Sequence, residues 1–280
     1  MLASMAALIA NDACIKIAAA SLPTGQAIFL RGLFARSMLA GLLVWTGGLR
    51  ALPRAGDTRM LFRSIAEVGA TLLYLTALFR MPIAEATAIL QFTPLAITAG
   101  AALFLGAPVG WRRWTATFVG LVGVLVIIRP GASVFNPYAS VALLSVVFIA
   151  ARDLMTRRIG KEIPALFIAF ASSALVTLAS LGFVPFEDWI WPEPAVLLAL
   201  LAAGLGLLAG QYWVIVAMRT GDIAVVAPFR YSIILWAILA GFLVWRELPD
   251  LATWVGIAIL TAAGLYTFLR EIRLAKAARP

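Results

Sequence analysis

Histidine is absent from this chain of 280 residues, and cysteine occurs once, at Cys14. With no imidazole and no second thiol, a zinc or haem site has no ligand set and an internal disulfide cannot form. Charged side chains are scarce, 12% of residues against 63% hydrophobic, about half the share that a soluble domain carries. No Gly-x-x-x-x-Gly-Lys-Ser/Thr loop is present, which excludes an ATP-driven pump in this chain. A filter-like Gly-rich loop or ring of acids is missing too, so a channel has nothing to select with. A membrane-embedded enzyme stays a remote alternative, because no nucleophile–base pair or carboxylate dyad has a recognisable spacing.

What is present is apolar sequence in lengths that cross a bilayer. Ten stretches, at 2–20, 25–46, 60–79, 83–105, 114–128, 138–155, 163–183, 194–216, 223–244 and 251–269, mostly approach the roughly 20 residues a membrane helix needs. The links are short, so residues 1–280 read as one all-α membrane domain without a soluble appendage. Residues 1–20 lack a basic leader and carry Asn11, Asp12 and Lys16, so they read as the first helix of the mature protein and not as a signal peptide. The net charge of +9 is a matter of placement. Arg50, Arg54, Arg59, Arg112, Arg113, Arg157, Arg158, Lys161, Arg219 and the C-terminal cations fall on one side, and only Arg80, Arg129 and Arg246 on the other. The positive-inside rule then puts both termini in the cytoplasm and the acidic, Trp-rich stretch 186–194 outside, in a multi-pass plasma (inner) membrane protein. The basicity is topology, and nucleic acid is not a partner.

Halving the chain reveals a faint self-similarity. Ala77, Ala84, Leu103 and Trp114 land on Ala217, Ala224, Leu243 and Trp254, an offset of about 140. The breaks at Pro130-Gly131 and Asn136-Pro137 separate a first five-helix repeat, 1–135, from a second, 136–280. Five is odd, so the second copy crosses in the opposite sense, and such inverted repeats recur in secondary transporters with the substrate site between the halves.

Charges inside a membrane helix cost about 2.5–3.5 kcal/mol each and mark function by default. Asp12 and Lys16 are four apart on one face, as a packing ion pair or as a gate. Arg63 and Glu67 repeat the spacing. Glu67 needs a partner or a proton, which makes it either structural or a candidate proton site. Arg31 and Arg36 do not share a face, so Arg31 is expected to meet Asp12 or Glu85. Arg152 and Asp153 are adjacent, point about 100° apart and are not expected to pair with each other. Gating or coupling charges are therefore sought among Asp12, Lys16, Arg31, Glu67, Glu85, Arg152 and Asp153.

A central cavity is expected from Gln91, Thr93 and Thr98 in the fourth stretch and Arg230 and Tyr231 in the ninth, at equivalent depths. Gln211 and Tyr212 in the eighth and Tyr74 in the third add polar groups. Trp213 and Trp236 are candidates for stacking on substrate. Pro94 and Pro228 each free a carbonyl that water or substrate can use. Gly206-x-x-x-Gly210 and Gly120-x-x-Gly123 read as close internal helix contacts.

Asn11-Asp12 with Lys16, Leu22-Pro23 and Arg31, Ala84-Glu-Ala-Thr-Ala-Ile89 with Pro94-Leu95, and Trp111-Arg-Arg-Trp114 through Arg129-Pro130-Gly131 form a familiar set. Leu154-Met-Thr-Arg-Arg158, Ala227-Pro-Phe-Arg-Tyr231 and Trp245-Arg-Glu-Leu-Pro249 continue it. Together they resemble the drug/metabolite transporter superfamily, in its ten-helix EamA type. One departure stands out: Leu105-Gly106-Ala107 replaces the family's Leu-Gly-Glu, while Glu247 keeps the acid of the second half. The resemblance implies secondary transport of small organic metabolites, amino acids or related compounds first and by export, through alternating access. Protons are a candidate coupling ion, no cofactor or metal is implied, and a monomer in the lipid bilayer is expected. Uptake of a larger nucleoside-like or vitamin compound is the alternative.

Overall fold

A computed structural model describes residues 1–45, 58–106, 110–131, 135–156, 158–159, 163–220 and 227–277. Its helices are α1 (Leu2–Ala18), α2 (Thr24–Trp45), α3 (Thr58–Leu78), α4 (Ile83–Leu90), α5 (Thr93–Leu105), α6 (Trp111–Ile128), α7 (Pro137–Thr156), α8 (Ala165–Ser180), α9 (Pro194–Thr220), α10 (Ser232–Ala240) and α11 (Leu251–Ala277). A 3₁₀ turn, Leu181–Phe186, extends α8. Another, Ala227–Tyr231, leads into α10, and a π-helical turn, Gly241–Trp245, ends it. With α4 and α5 as one interrupted pass, this is the ten-helix bundle expected.

Among the described residues, eight helical segments are long and apolar enough to span a bilayer, counting 83–105 as one. The first pass, at 17 residues, and 229–245 are shorter. Residues 221–226, within the stretch 223–244, lie outside the described residues. The sixth helix of the chain starts at Trp111, three residues before the expected 114, and α11 runs on to Ala277.

Large apolar side chains point outward: Phe104 is 79% exposed and Phe118 67%. In water that surface would aggregate, whereas in lipid it is solvated. Lipid removes the hydrophobic drive between helices, so contact relies on small residues and close approach. Gly206 lies against the backbone of Ala7 and Asn11, Gly210 against Leu8, and Gly123 against the backbone of Gly256 and Leu260. The small-residue motifs read from the sequence are therefore internal packing surfaces, α9 on α1 and α6 on α11.

Element pairing is close to symmetric. α1 packs on α9 as α3 packs on α7, α2 on α9 as α3 on α8, while α2·α8 and α6·α11 each pair a helix with its counterpart in the other half. The pairings show some of the symmetry that an inverted repeat would produce. Backbone geometry follows it. Gly106 and Arg246, 140 apart, both end a pass in the left-handed region, at φ 63° and 59°. The interruption after Gln91 is matched by the change from 3₁₀ to α-helix at Tyr231/Ser232.

Physical chemistry explains the first of these breaks. Pro94 has no N–H to give Leu90, and the Thr93 hydroxyl bonds the Leu90 carbonyl instead, at 2.6 Å. Gln91 and Phe92 tighten into i−3 bonds to Ala88 and Ile89, each 3.0 Å. The freed Leu90 carbonyl thus accepts from a neighbouring side chain. The equivalent acceptor for Pro228 lies outside the described residues.

Candidate substrate cavity

A cavity of about 750 Å³ lies between the two halves, toward the end of the bundle where the chain begins. Met5 and Leu8 of α1, Arg113 at the start of α6 and Arg152 and Asp153 near the end of α7 line it. Gln211 of α9 and Gly264 and Thr267 of α11 close its sides. Its deeper wall comes from the two interrupted passes: Gln91, Thr93, Pro94 and Thr98 on one, Arg230, Tyr231 and Ile233 on the other. Thr98 bonds the Pro94 carbonyl at 3.0 Å. Tyr231 lies against Gly264, where any side chain would collide with its hydroxyl.

Four of the ten residues named for the cavity fall elsewhere. Tyr212 and Trp213 are 64% and 45% exposed and belong to the outer surface of α9 rather than to the lining. Trp236 packs against the main apolar core. Tyr74 donates to Asp12 Oδ2 at 2.7 Å, one helical turn deeper than Leu8. The four share a cause: a polar or aromatic residue in an apolar stretch does not say which way its helix is rotated.

The charges pair differently from their spacing. Asp12 and Lys16 share a face yet do not meet. Asp12 also accepts from the Asn11 amide at 2.7 Å, and Arg31 Nε donates to Asn11 Oδ1 at 3.2 Å, its charge reaching Asp12. Lys16 instead donates to the Met81 carbonyl at 2.6 Å, approaches Glu247 at 3.8 Å and lies 4.8 Å over the Trp245 ring. Its long stem carries the ammonium a turn beyond Asp12 to the opposite end of the bundle. Glu85 lies within electrostatic reach of Arg129, Lys16, Asp250 and Glu247 at that end.

Glu67 is shared by Arg63 at 3.1 Å and Arg152 at 3.2 Å. Arg152 also binds Asp153 at 2.8 Å, against the expectation that neighbours 100° apart do not pair. The guanidinium sits at the end of a flexible stem, so a Cα direction does not fix where it lands. Arg63 reaches Thr156 at 3.3 Å and Ser172 besides, joining α3, α7 and α8.

At the end opposite the cavity, contacts cross between halves. Lys16 meets Glu247, Arg129 meets Asp250, and Asn136 donates to the Arg80 carbonyl at 3.1 Å. A smaller cavity of about 350 Å³ lies there, lined by Lys16, Trp245 and Glu247 among others. The stretch after α8 folds onto α2: Glu187 accepts from the Gly25 N–H at 2.9 Å, and Gln26 exchanges bonds with Ile190 at 2.5 and 3.1 Å. A carboxylate at a helix N-terminus satisfies open N–H groups and the helix dipole.

Asp250 is held down to about 2, first by its bond to Arg129 and then by the Thr253 N–H. A carboxylate favoured in the fold contributes above its unfolded value of 3.8 and loses that contribution as pH falls toward 2. The difference in melting temperature between wild type and Asp250→Asn is therefore expected at neutral pH and should close across this acid window. A difference unchanged down to pH 2 would contradict it.

A lipid-embedded bundle with a polar cavity between its halves, and ion pairs joining those halves at the other end, defines the class of small-molecule carriers. The chain belongs to the EamA-like transporter family, whose model matches residues 1–129 and again 136–269. It is accordingly a small-molecule secondary transporter of the drug/metabolite superfamily, and not an enzyme. Among its relatives, the pseudopaline exporter CntI of Pseudomonas aeruginosa is 30% identical over 256 residues, covering 90% of this chain and 88% of that one. A riboflavin transporter of Rhizobium johnstonii is 30% identical over 227 residues, covering 81% and 75%. An S-adenosylmethionine uptake transporter of Rickettsia prowazekii is 25% identical over 264 residues, covering 93% and 88%. A solved crystal structure shares the fold with a TM-score of 0.66 at 21% identity, over 98% of this chain and 97% of that one.

Proposed function

We propose that two five-helix halves, 1–135 and 136–280, carry small organic metabolites by alternating access, in the plasma membrane with both termini cytoplasmic. Amino acids or related compounds, moving outward, are the first reading. The observation that carries the mechanism is the pair of interrupted helices facing each other across one cavity at the same register. Interrupted helices at a repeat interface are where such carriers bind substrate. In this reading Gln91, Gln211, Arg230 and Tyr231 contact substrate, and the carboxylates of Asp12 and Glu67 are placed to take up a coupling proton beside the fixed charges of Arg31 and Arg152. With the termini inside, the cavity faces the cytoplasm, as loading for export requires.

Uptake of a larger vitamin or nucleoside-like compound is the second reading. A volume of about 750 Å³ exceeds what an amino acid fills and falls in the range of sites for larger ligands. Relatives named for riboflavin and S-adenosylmethionine fit that size. Uptake by intact cells, compared with efflux from preloaded cells over a panel of labelled metabolites, separates the readings. Export predicts lower retention in expressing cells, and uptake predicts higher initial entry. Identical traces with and without the protein across the panel would remove both. In the same cells, a cysteine replacing exposed Asp188 in a Cys14→Ser background should react with an impermeant thiol reagent. Reaction only after membranes are opened would invert the topology.

A further inference from the structure

Arg152 and Arg230, both on the wall of the large cavity, differ in how their charge is balanced. Arg152 is balanced within its own network, in which Arg63 and Arg152 face Glu67 and Asp153. Arg230 has no such balance. It lines the cavity from the turn between α9 and α10 and makes no ion pair among the described residues. Arg113 lies on the wall as well, and Asp153, already engaged by Arg152, is the one acid among the described lining residues. A guanidinium does not give up its proton, so Arg230 presents a permanent positive charge to the cavity at any physiological pH.

Beside Arg230, the Gln91 and Gln211 amides make no hydrogen bond with a described residue, which leaves donors and acceptors for a ligand. The rest of the wall is apolar, with Leu90, Ile149, Val214 and Phe268.

We propose that the cavity selects organic anions: a carboxylate-bearing molecule with an apolar body, its carboxylate on Arg230 and its body against the aliphatic wall. This rests on the reading of the cavity as the transport site. A bound carboxylate supplies the counter-charge that Arg230 lacks, in a geometry guanidinium pairs favour. A cation of the same shape meets like charge, and a neutral amide leaves the guanidinium unbalanced.

The test uses purified full-length protein and three probes on one body: indole-3-acetate, indole-3-acetamide and tryptamine. Thermal stabilisation is followed for wild type, Arg230→Gln and Arg230→Lys. The expected order is carboxylate above amide above amine in wild type. Arg230→Gln should weaken the carboxylate by at least about tenfold, the lower worth of a charged hydrogen bond, and leave the amide unchanged. Arg230→Lys should restore part of the loss, which a merely structural defect would not allow. Equal or greater stabilisation by the amine or amide, no stabilisation by the carboxylate at millimolar concentration, or an undiminished carboxylate preference in Arg230→Gln would overturn the proposal. Transport in cells of neutral or cationic compounds alone would also defeat it while leaving the carrier reading intact. Absence of any transport would defeat the carrier reading itself.

Discussion

Gly256→Leu is expected to abolish the accumulation of folded protein. A Cβ at this position would lie 2.7 Å from the Gly123 carbonyl oxygen and 2.5 Å from Ile127 Cγ1. The reciprocal Cβ at Gly123 would meet the Gly256 oxygen at 3.0 Å and the Leu260 nitrogen at 3.1 Å. These obstacles include backbone, which no rotamer change can move aside. α6 and α11 would have to separate along one of the most extensive contacts between the two halves, and lipid offers no hydrophobic force to hold them in looser contact. The cost should reach the upper end of about 1–3 kcal/mol seen for overpacked cores, or exceed it. Gly41→Leu is the matched control, because a Cβ there meets nothing within 4 Å. Size-exclusion profiles and melting curves of the two variants decide the matter, and equal behaviour would show that the α6–α11 crossing tolerates width.

Glu67→Ala should destabilise by about 3–5 kcal/mol, the range for leaving a buried charge without its partner. Two cations depend on this one carboxylate, and their side chains are only 13% and 24% exposed. Asp153 still holds Arg152, and Thr156 and Ser172 still hold Arg63, which favours the lower end. Glu67→Gln should cost less, because an amide keeps one acceptor, and adding Arg63→Gln to it should recover part of the loss. Melting temperatures measured in one detergent test this. A Glu67→Ala protein as stable as wild type would mean that the network contributes nothing net.

The bundle was legible because lipid imposes one rule over long windows: a pass must be apolar for about 20 residues. The interior was less so. Gln91, Thr93 and Thr98 line the cavity, as do Gln211, Arg230 and Tyr231, all of them polar residues that lipid disfavours. Tyr212 and Trp213 are amphipathic and tolerate an outward position, so composition alone cannot orient them. Lys16 and Arg152 show the other limit. Spacing locates a Cα, whereas an ammonium or guanidinium several bonds away chooses among partners that only the assembled fold supplies. The interruption at Gln91 had a signal in Pro94, two residues inside the start of α5. The Thr93 hydroxyl that completes the local bonding was not foreseen, because it needs the break to exist first.

The two ends of the molecule differ in how firmly they are fastened. Asp250 and Glu247, which join the halves opposite the cavity, are 53% and 37% exposed, whereas Glu67 is 20% exposed. Ion pairs that water can reach are worth little, about 0–1 kcal/mol, because water takes over each partner when they part. In the proposed cycle, the Arg129–Asp250 contact therefore acts as a latch of low strength, suited to release and re-formation on every turnover, while Lys16, 9% exposed, meets Glu247 from inside the fold. The network around Glu67 behaves as a rivet, binding α3 to α7 and α8 so that they travel together. An anion leaving through the latched end would pass Lys16 just as that ammonium parts from Glu247, so the same side chain would serve as a transient handhold on the way out.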